Sequence, residues 1–248
     1  VALLGVGSAM SQEHVTQLLL KLADDPDNRR AIAKSGSIPR LVLQLKGGGH
    51  TSVKAQELAA AALRKLSGDS EENVSAIAAA GGLKPIVALL ASPSPAAQAQ
   101  AAAVLSYMTR TSVRNKHAVV ADGGIFPLIV LLNKENARAK AEAASALLSL
   151  CSGHPDIQRA VAEIGAIKAL VGILREHDAN AQVQSACALG AIVSGLTEHQ
   201  DMVAKCKGIE PLVELLDMGS PSEVQGKAAY ALAKLAKDHP NNQERVAQ

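Results

Sequence analysis

The chain has 248 residues, 48% of them hydrophobic and 19% charged, with a formal net charge of +2 at pH 7. Such a composition supplies a sizeable apolar core, and its charge alone is too small to imply a polyanion partner. Aromatic residues make up only 1% (Phe126, Tyr107 and Tyr230, with no Trp). The core must therefore be built from Ala, Leu, Val and Ile, a stacking surface for single-stranded nucleic acid is disfavoured, and no apolar run approaches the ~18 residues that span a bilayer.

The three cysteines, Cys151, Cys187 and Cys206, have no paired spacing. This is neither a disulfide framework nor a zinc motif, and it fits a reducing compartment. The expected location is the cytoplasm, with the nucleus or the cytoplasmic face of a membrane as alternatives. Val1–Gly7 carries no basic leader or cleavage pattern, and the chain reads as an internal piece of a longer protein.

Along the chain, one segment recurs five times: Gly36-Ser-Ile-Pro-Arg-Leu-Val, Gly81-Gly-Leu-Lys-Pro-Ile-Val, Gly123-Gly-Ile-Phe-Pro-Leu-Ile, Gly165-Ala-Ile-Lys-Ala-Leu-Val and Lys207-Gly-Ile-Glu-Pro-Leu-Val. Its aliphatic anchors, Ile38, Leu83, Ile125, Ile167 and Ile209, are spaced 45, 42, 42 and 42 residues apart. The longer first gap falls at Gly47–Gly49, where a loop absorbs an insertion at little entropic cost. Self-similarity at such a period signals a solenoid.

Each period reads as three helices. In residues 112–153 a short helix over Val113–Ala121 stops at Asp122-Gly123-Gly124, where glycine supplies a left-handed helix end. A second follows over Ile125–Leu132 with Pro127 in its first turn, where a missing N–H costs nothing. A third, over Ala137–Cys151, places Ala143, Ala146, Leu147 and Leu150 at helical spacing. The breaks before the third helices, Asn133–Asn136, Ser92–Pro95 and Ser220–Ser222, carry helix-start chemistry.

The period, the Gly-x-Ile-x-Pro-Leu-Val anchor and the Ala/Leu-rich third helix resemble the armadillo repeat of the catenins and importin-α. The resemblance covers essentially the whole chain and implies an all-α, right-handed α-solenoid with three helices per ~42-residue repeat. It divides a single repeat domain into a partial repeat at 1–26, full repeats at 27–68, 69–111, 112–153, 154–195 and 196–238, and the start of another at 239–248. In the partial repeat, Val1–Leu4 and Gln12–Ala23 stand for its second and third helices. The two-helix HEAT repeat fits less well, because glycine separates the first and second helices.

By resemblance, the third helices line a concave groove that binds a peptide or helix of a partner protein. In importin-like peptide binders each third helix presents a Trp and, four residues on, an Asn. The Trp register falls here on Gln17, Ala61, Ala103, Ser145, Cys187 and Tyr230, and the Asn register on Lys21, Lys65, Tyr107, Ser149, Ala191 and Lys234. Neither residue is retained once, so a carrier of basic localisation peptides is not expected. One turn earlier lie His14, Leu58, Gln100, Glu142, Gln184 and Lys227. Lysines mark both ends of this face and its middle is small and neutral, which reads as a groove for a segment with acidic ends. Cys187, on the same face, is expected to be an accessible thiol.

Residues 27–68 carry eight Lys/Arg against two acids, whereas residues 196–238 carry five against seven, which reads as a basic patch near the N-terminus. No hydrolase, zincin, phosphate-loop or calcium-loop motif occurs, and no cofactor or metal is expected. The seven histidines are scattered, with His154, His199 and His239 recurring near repeat starts. Asn73-Val-Ser75 matches a glycosylation sequon, and the four methionines read as ordinary filler. The leading reading is a non-enzymatic interaction scaffold. The alternatives are a regulatory region of a larger enzyme and a membrane-linked adaptor, and end-to-end self-association through incomplete repeats stays open. Charge at Ile125 or Leu147 is expected to unfold the array, whereas Lys65→Glu and Lys234→Glu are expected to leave its melting temperature nearly unchanged.

Overall fold

The structure, a computed structural model, describes residues 3–6, 8–47, 51–68 and 70–247. Val1, Ala2, Gly7, Gly48, Gly49, His50, Asp69 and Gln248, and with them parts of the opening segment and of the glycine insertion, lie outside the described residues. Every regular element among the described residues is an α-helix. The chain divides into two compact units, 1–127 and 128–248.

Unit 1 contains α1 (Leu3–Val6), α2 (Ala9–Leu22), α3 (Pro26–Lys34), α4 (Ser37–Lys46), α5 (Val53–Ser67), α6 (Glu71–Ala79), α7 (Leu83–Leu89), α8 (Pro95–Arg110) and α9 (Val113–Ala121). The division falls within α10 (Ile125–Leu132). Unit 2 continues with α11 (Ala137–Cys151), α12 (Pro155–Glu163), α13 (Ala166–Leu174), α14 (Ala179–Val193), α15 (Thr197–Lys205), α16 (Ile209–Glu214), α17 (Ser222–Ala236) and α18 (Pro240–Ala247). The third helices stack side by side, α5 between α2 and α8 in unit 1 and α14 between α11 and α17 in unit 2.

Alanine makes that stacking close. Ala59, Ala62, Ala101, Ala102, Ala144, Ala146 and Ala188 are all buried, and short side chains bring helix axes to the near end of the ~8–10 Å range. Leu63, Leu105, Met108, Leu147 and Leu150, all fully buried, fill the layer beneath. Phe126, Met10 and Met218 lie outside it. Met218 is 92% exposed and Met10 69%, so the reading of the methionines as filler holds for Met108 and fails for these two, whose positions face solvent.

The turn between first and second helices repeats in detail. Gly36, Gly81, Gly123 and Gly165 adopt φ of 75°, 72°, 77° and 97°, and Lys207 takes the same place at 55°. The next residue must be small. A Cβ on Gly208 would lie 2.7 Å from Val203 and 2.8 Å from Val171, one on Gly82 2.8 Å from Ile77 and one on Gly124 2.7 Å from Val119, whereas the first and fourth turns carry the small residues Ser37 and Ala166 here. Ser52, Ser70, Ser94, Ser112, Asn136 and Asp178 cap the helices that follow them through side-chain oxygens. The break at Ser220–Ser222 differs, since Pro221 occupies the cap position and supplies no side-chain bond.

A further repeated joint is absent from the sequence reading. Asn73 donates to the Leu66 carbonyl at 2.8 Å, Asn115 to that of Met108 at 2.8 Å and Asn242 to that of Leu235 at 3.0 Å. The His199 ring Nδ1 bonds the Ile192 carbonyl at 2.8 Å. In each case the side chain closes the end of a third helix onto the following first helix, satisfying a carbonyl that the helix leaves over. Ile157 holds the same register in α12 by apolar burial. The sequon asparagine is thus a buried structural residue, with its amide committed to Leu66.

Candidate functional site

Each unit has its own third-helix face, built from α2, α5 and α8 in unit 1 and from α11, α14 and α17 in unit 2. On α2, His14, Gln17 and Lys21 are all exposed. On α5, Leu58 and Ala61 are buried and Lys65 is half-buried; on α8, Gln100 and Ala103 are buried and Tyr107 is half-buried. In unit 2, Glu142, Ser145 and Gln184 are half-buried, and Ser149, Cys187 and Ala191 are buried. On α17, Lys227 and Tyr230 are exposed and Lys234 is half-buried. Within each unit small residues, Ala61 and Ala103 in unit 1 and Ser149, Cys187 and Ala191 in unit 2, sink between flanking helices and form a floor rather than a set of reaching side chains.

Contacts between neighbouring third helices tie this face together. In unit 1, Arg64 Nε donates to Gln100 Oε1 at 2.8 Å, and Ser94 donates to Glu57 Oε2 at 3.2 Å. Lys65 bonds the Asp24 carboxylate and, at 3.2 Å, the Leu20 carbonyl. In unit 2 the Tyr230 ring packs closely against Gly190, where an added Cβ would fall 2.6 Å from Tyr230 Cε1. Arg64, Asp24, Glu57 and Gly190 were not among the sequence candidates. Gly190 carried the one legible signal, because a glycine inside a helix costs about 1 kcal/mol and marks a close approach.

The basic patch anticipated at residues 27–68 is largely engaged within the protein. Lys54 pairs with Glu57 at 2.6 Å, Arg30 pairs with Asp27, Lys65 pairs with Asp24, and Arg29 donates to the Ala23 carbonyl at 3.2 Å. On α8, Arg110 stacks over the Tyr107 ring, 5.1 Å from its centroid, and donates to the Gly68 carbonyl at 3.4 Å. Lys65 is therefore a structural cation and not a free groove lysine. Lys227 and Lys234 differ, since among the described residues neither pairs with a carboxylate. Lys234 Nζ sits 5.7 Å from the Tyr230 centroid.

Cys187 is not the accessible thiol that its register suggested. Burial pushes its pKa up, partly offset by the nearby Lys227 charge, with Glu223 adding to the rise. A thiol held protonated is a poor nucleophile. Cys151 is fully buried, as a core residue should be, and Cys206 is half-buried at the end of α15. The buried histidines serve as joints. His199 closes the α14–α15 junction, and His239 faces Asp201 Oδ1 from Nε2 at 3.0 Å while its Nδ1 accepts the Asn242 N–H. What this face can do chemically is hold a chain by shape, apolar contact and a few charges.

Comparison with known proteins agrees with the geometry. The armadillo/beta-catenin-like repeat family model matches residues 25–68 and 70–110. Among solved structures, the chain is similar to an engineered protein at 30% identity and TM-score 0.86, covering 95% of this chain and 94% of that one. It is also similar to a designed armadillo repeat protein in complex with the peptide (KR)4, at 21% identity and TM-score 0.82, covering 94% and 96%. A structure of computationally designed armadillo repeat proteins for modular peptide recognition matches at 21% identity and TM-score 0.83, covering 93% and 96%. No curated protein matches the chain. The chain carries armadillo/beta-catenin-like repeats over residues 25–68 and 70–110, and its fold is an all-helical armadillo solenoid.

Proposed function

We propose that the protein is a non-enzymatic interaction scaffold that binds a peptide or helix of a partner protein on its third-helix face. One observation carries the reading. Within each unit the third helices turn a common face outward that mixes a small-residue floor with exposed polar and aromatic positions, as in α14 and α17. A flat floor admits a partner backbone, and the side chains around it supply selectivity. The peptide complex of a designed armadillo neighbour supports the same mode.

The reading is tested by selecting binders from a phage-displayed random peptide library and mapping the best of them by hydrogen–deuterium exchange. Protection concentrated on α5, α8, α14 and α17 is the expected result. Protection confined to the first helices α3, α6, α12 and α15, or a library that yields no binder, refutes it.

A further inference from the structure

Resting on that peptide-binding reading, we propose that the third-helix face of unit 2 is a subsite for an acidic side chain of an extended peptide, with Tyr230 as its platform and Lys227 and Lys234 as its cations. The sequence placed lysines at both ends of the third-helix face and a basic patch in residues 27–68. In unit 1, Lys54 and Lys65 pair with Glu57 and Asp24, Arg64 donates to Gln100, and Arg110 lies over Tyr107 and donates to Gly68. Lys21 of α2 is exposed, with no aromatic ring beside it among the described residues. In unit 2, Lys227 and Lys234 flank an exposed ring on one helix.

The cations of α17 stand three residues before and four after Tyr230, so all three side chains share one helical face. The ring is 43% exposed and is held in place because Gly190 offers no side chain beneath it. A plate fixed in advance loses little freedom on binding. Lys234 already lies over the ring, so a carboxylate arriving there meets a cation positioned by an aromatic face. The adjacent surface of α14 is uncharged, from Gln184 through Cys187 to Ala191, and burial keeps the Cys187 thiol neutral. Glu223 is the one acid on this stretch of α17, against Lys227 and Lys234. A basic peptide such as the (KR)4 bound by the designed neighbour would place like charges together here.

Fluorescence anisotropy with labelled (Asp-Glu)4, (Lys-Arg)4 and (Gly-Ser)4 peptides tests the assignment on the whole chain. The acidic peptide is expected to bind at least about ten-fold more tightly than the other two, and to weaken as salt rises from about 50 to 300 mM. Tyr230→Ala, and the pair Lys227→Gln with Lys234→Gln, are each expected to weaken it about ten-fold or more with unchanged melting. Gly190→Ala, which displaces the ring, is expected to do the same, while Lys46→Gln leaves binding unchanged. A preference for (Lys-Arg)4 overturns the charge assignment and leaves the peptide-binding reading intact. Acidic binding that survives the α17 variants overturns the location. Failure of all three probes beside productive library binders overturns the acidic subsite alone, and failure of probes and library together overturns both readings.

Discussion

Asn115→Ala isolates the repeated joint between third and first helices. Asn115 is buried, and its Nδ2 donates to the Met108 carbonyl at 2.8 Å, in the last turn of α8. Its own backbone N–H is held separately by Ser112 Oγ at 3.2 Å, so truncating the side chain removes one bond and leaves the α9 cap in place. A net hydrogen bond is worth about 1 kcal/mol, and a buried carbonyl left without its partner costs about 1–3 kcal/mol. The two descriptions overlap, giving an expected loss of about 2 kcal/mol. Urea unfolding followed by far-ultraviolet circular dichroism reads this loss. Asn115→Asp keeps the size and removes the donor, turning an acceptor toward the Met108 carbonyl, so it is expected to cost at least as much as Ala. A loss below about 0.5 kcal/mol for both variants, or an Asp variant as stable as the parent, refutes the hydrogen-bond argument.

Two other predictions concern charge and burial. Leu147→Lys places a cation where the side chain is fully buried, and is expected to abolish the cooperative melt of unit 2. Lys65→Glu sets a carboxylate beside Asp24 and the Leu20 carbonyl in a half-buried place, and is expected to cost about 1 kcal/mol. Lys234→Glu is expected to stay within about 0.5 kcal/mol, and equal melting temperatures for the two lysine variants would contradict the structural role of Lys65. Cys187 is expected to react with iodoacetamide at pH 8 more slowly than Cys206, read by mass spectrometry of the two peptides. Because folding raises the Cys187 pKa, its neutral thiol favours the folded state. That contribution is complete below the ordinary thiol range and is lost as pH climbs through the raised value. A Cys187 that alkylates first would refute its burial.

The repeat, the helix positions and the fold class were legible in the sequence because they depend on local and periodic information. Asp122-Gly123-Gly124 ends one helix and Pro127 starts the next whatever surrounds them, and the spacing of Ala143, Ala146, Leu147 and Leu150 orients the third helix. The helices α9, α10 and α11 occupy the residue ranges expected from these signals. The register also placed Tyr230, Lys227 and Lys234 on an outward face.

What residue spacing could not supply was the partner of each side chain. Lys65 and Lys234 occupy the same register, yet one is bound to Asp24 in the turn after α2 and the other lies over a ring on its own helix. Cys187 and Tyr230 also share a register, yet the cysteine is sealed between helices while the tyrosine stands open on α17. Asn73 matched a glycosylation sequon in the sequence, and the structure buries its amide against the Leu66 carbonyl. Helical periodicity fixes which face a residue joins, because the backbone repeats every 3.6 residues. Which charges cancel and which remain for a partner depends on contacts between helices about 35 to 45 residues apart in sequence, and only their packing decides that.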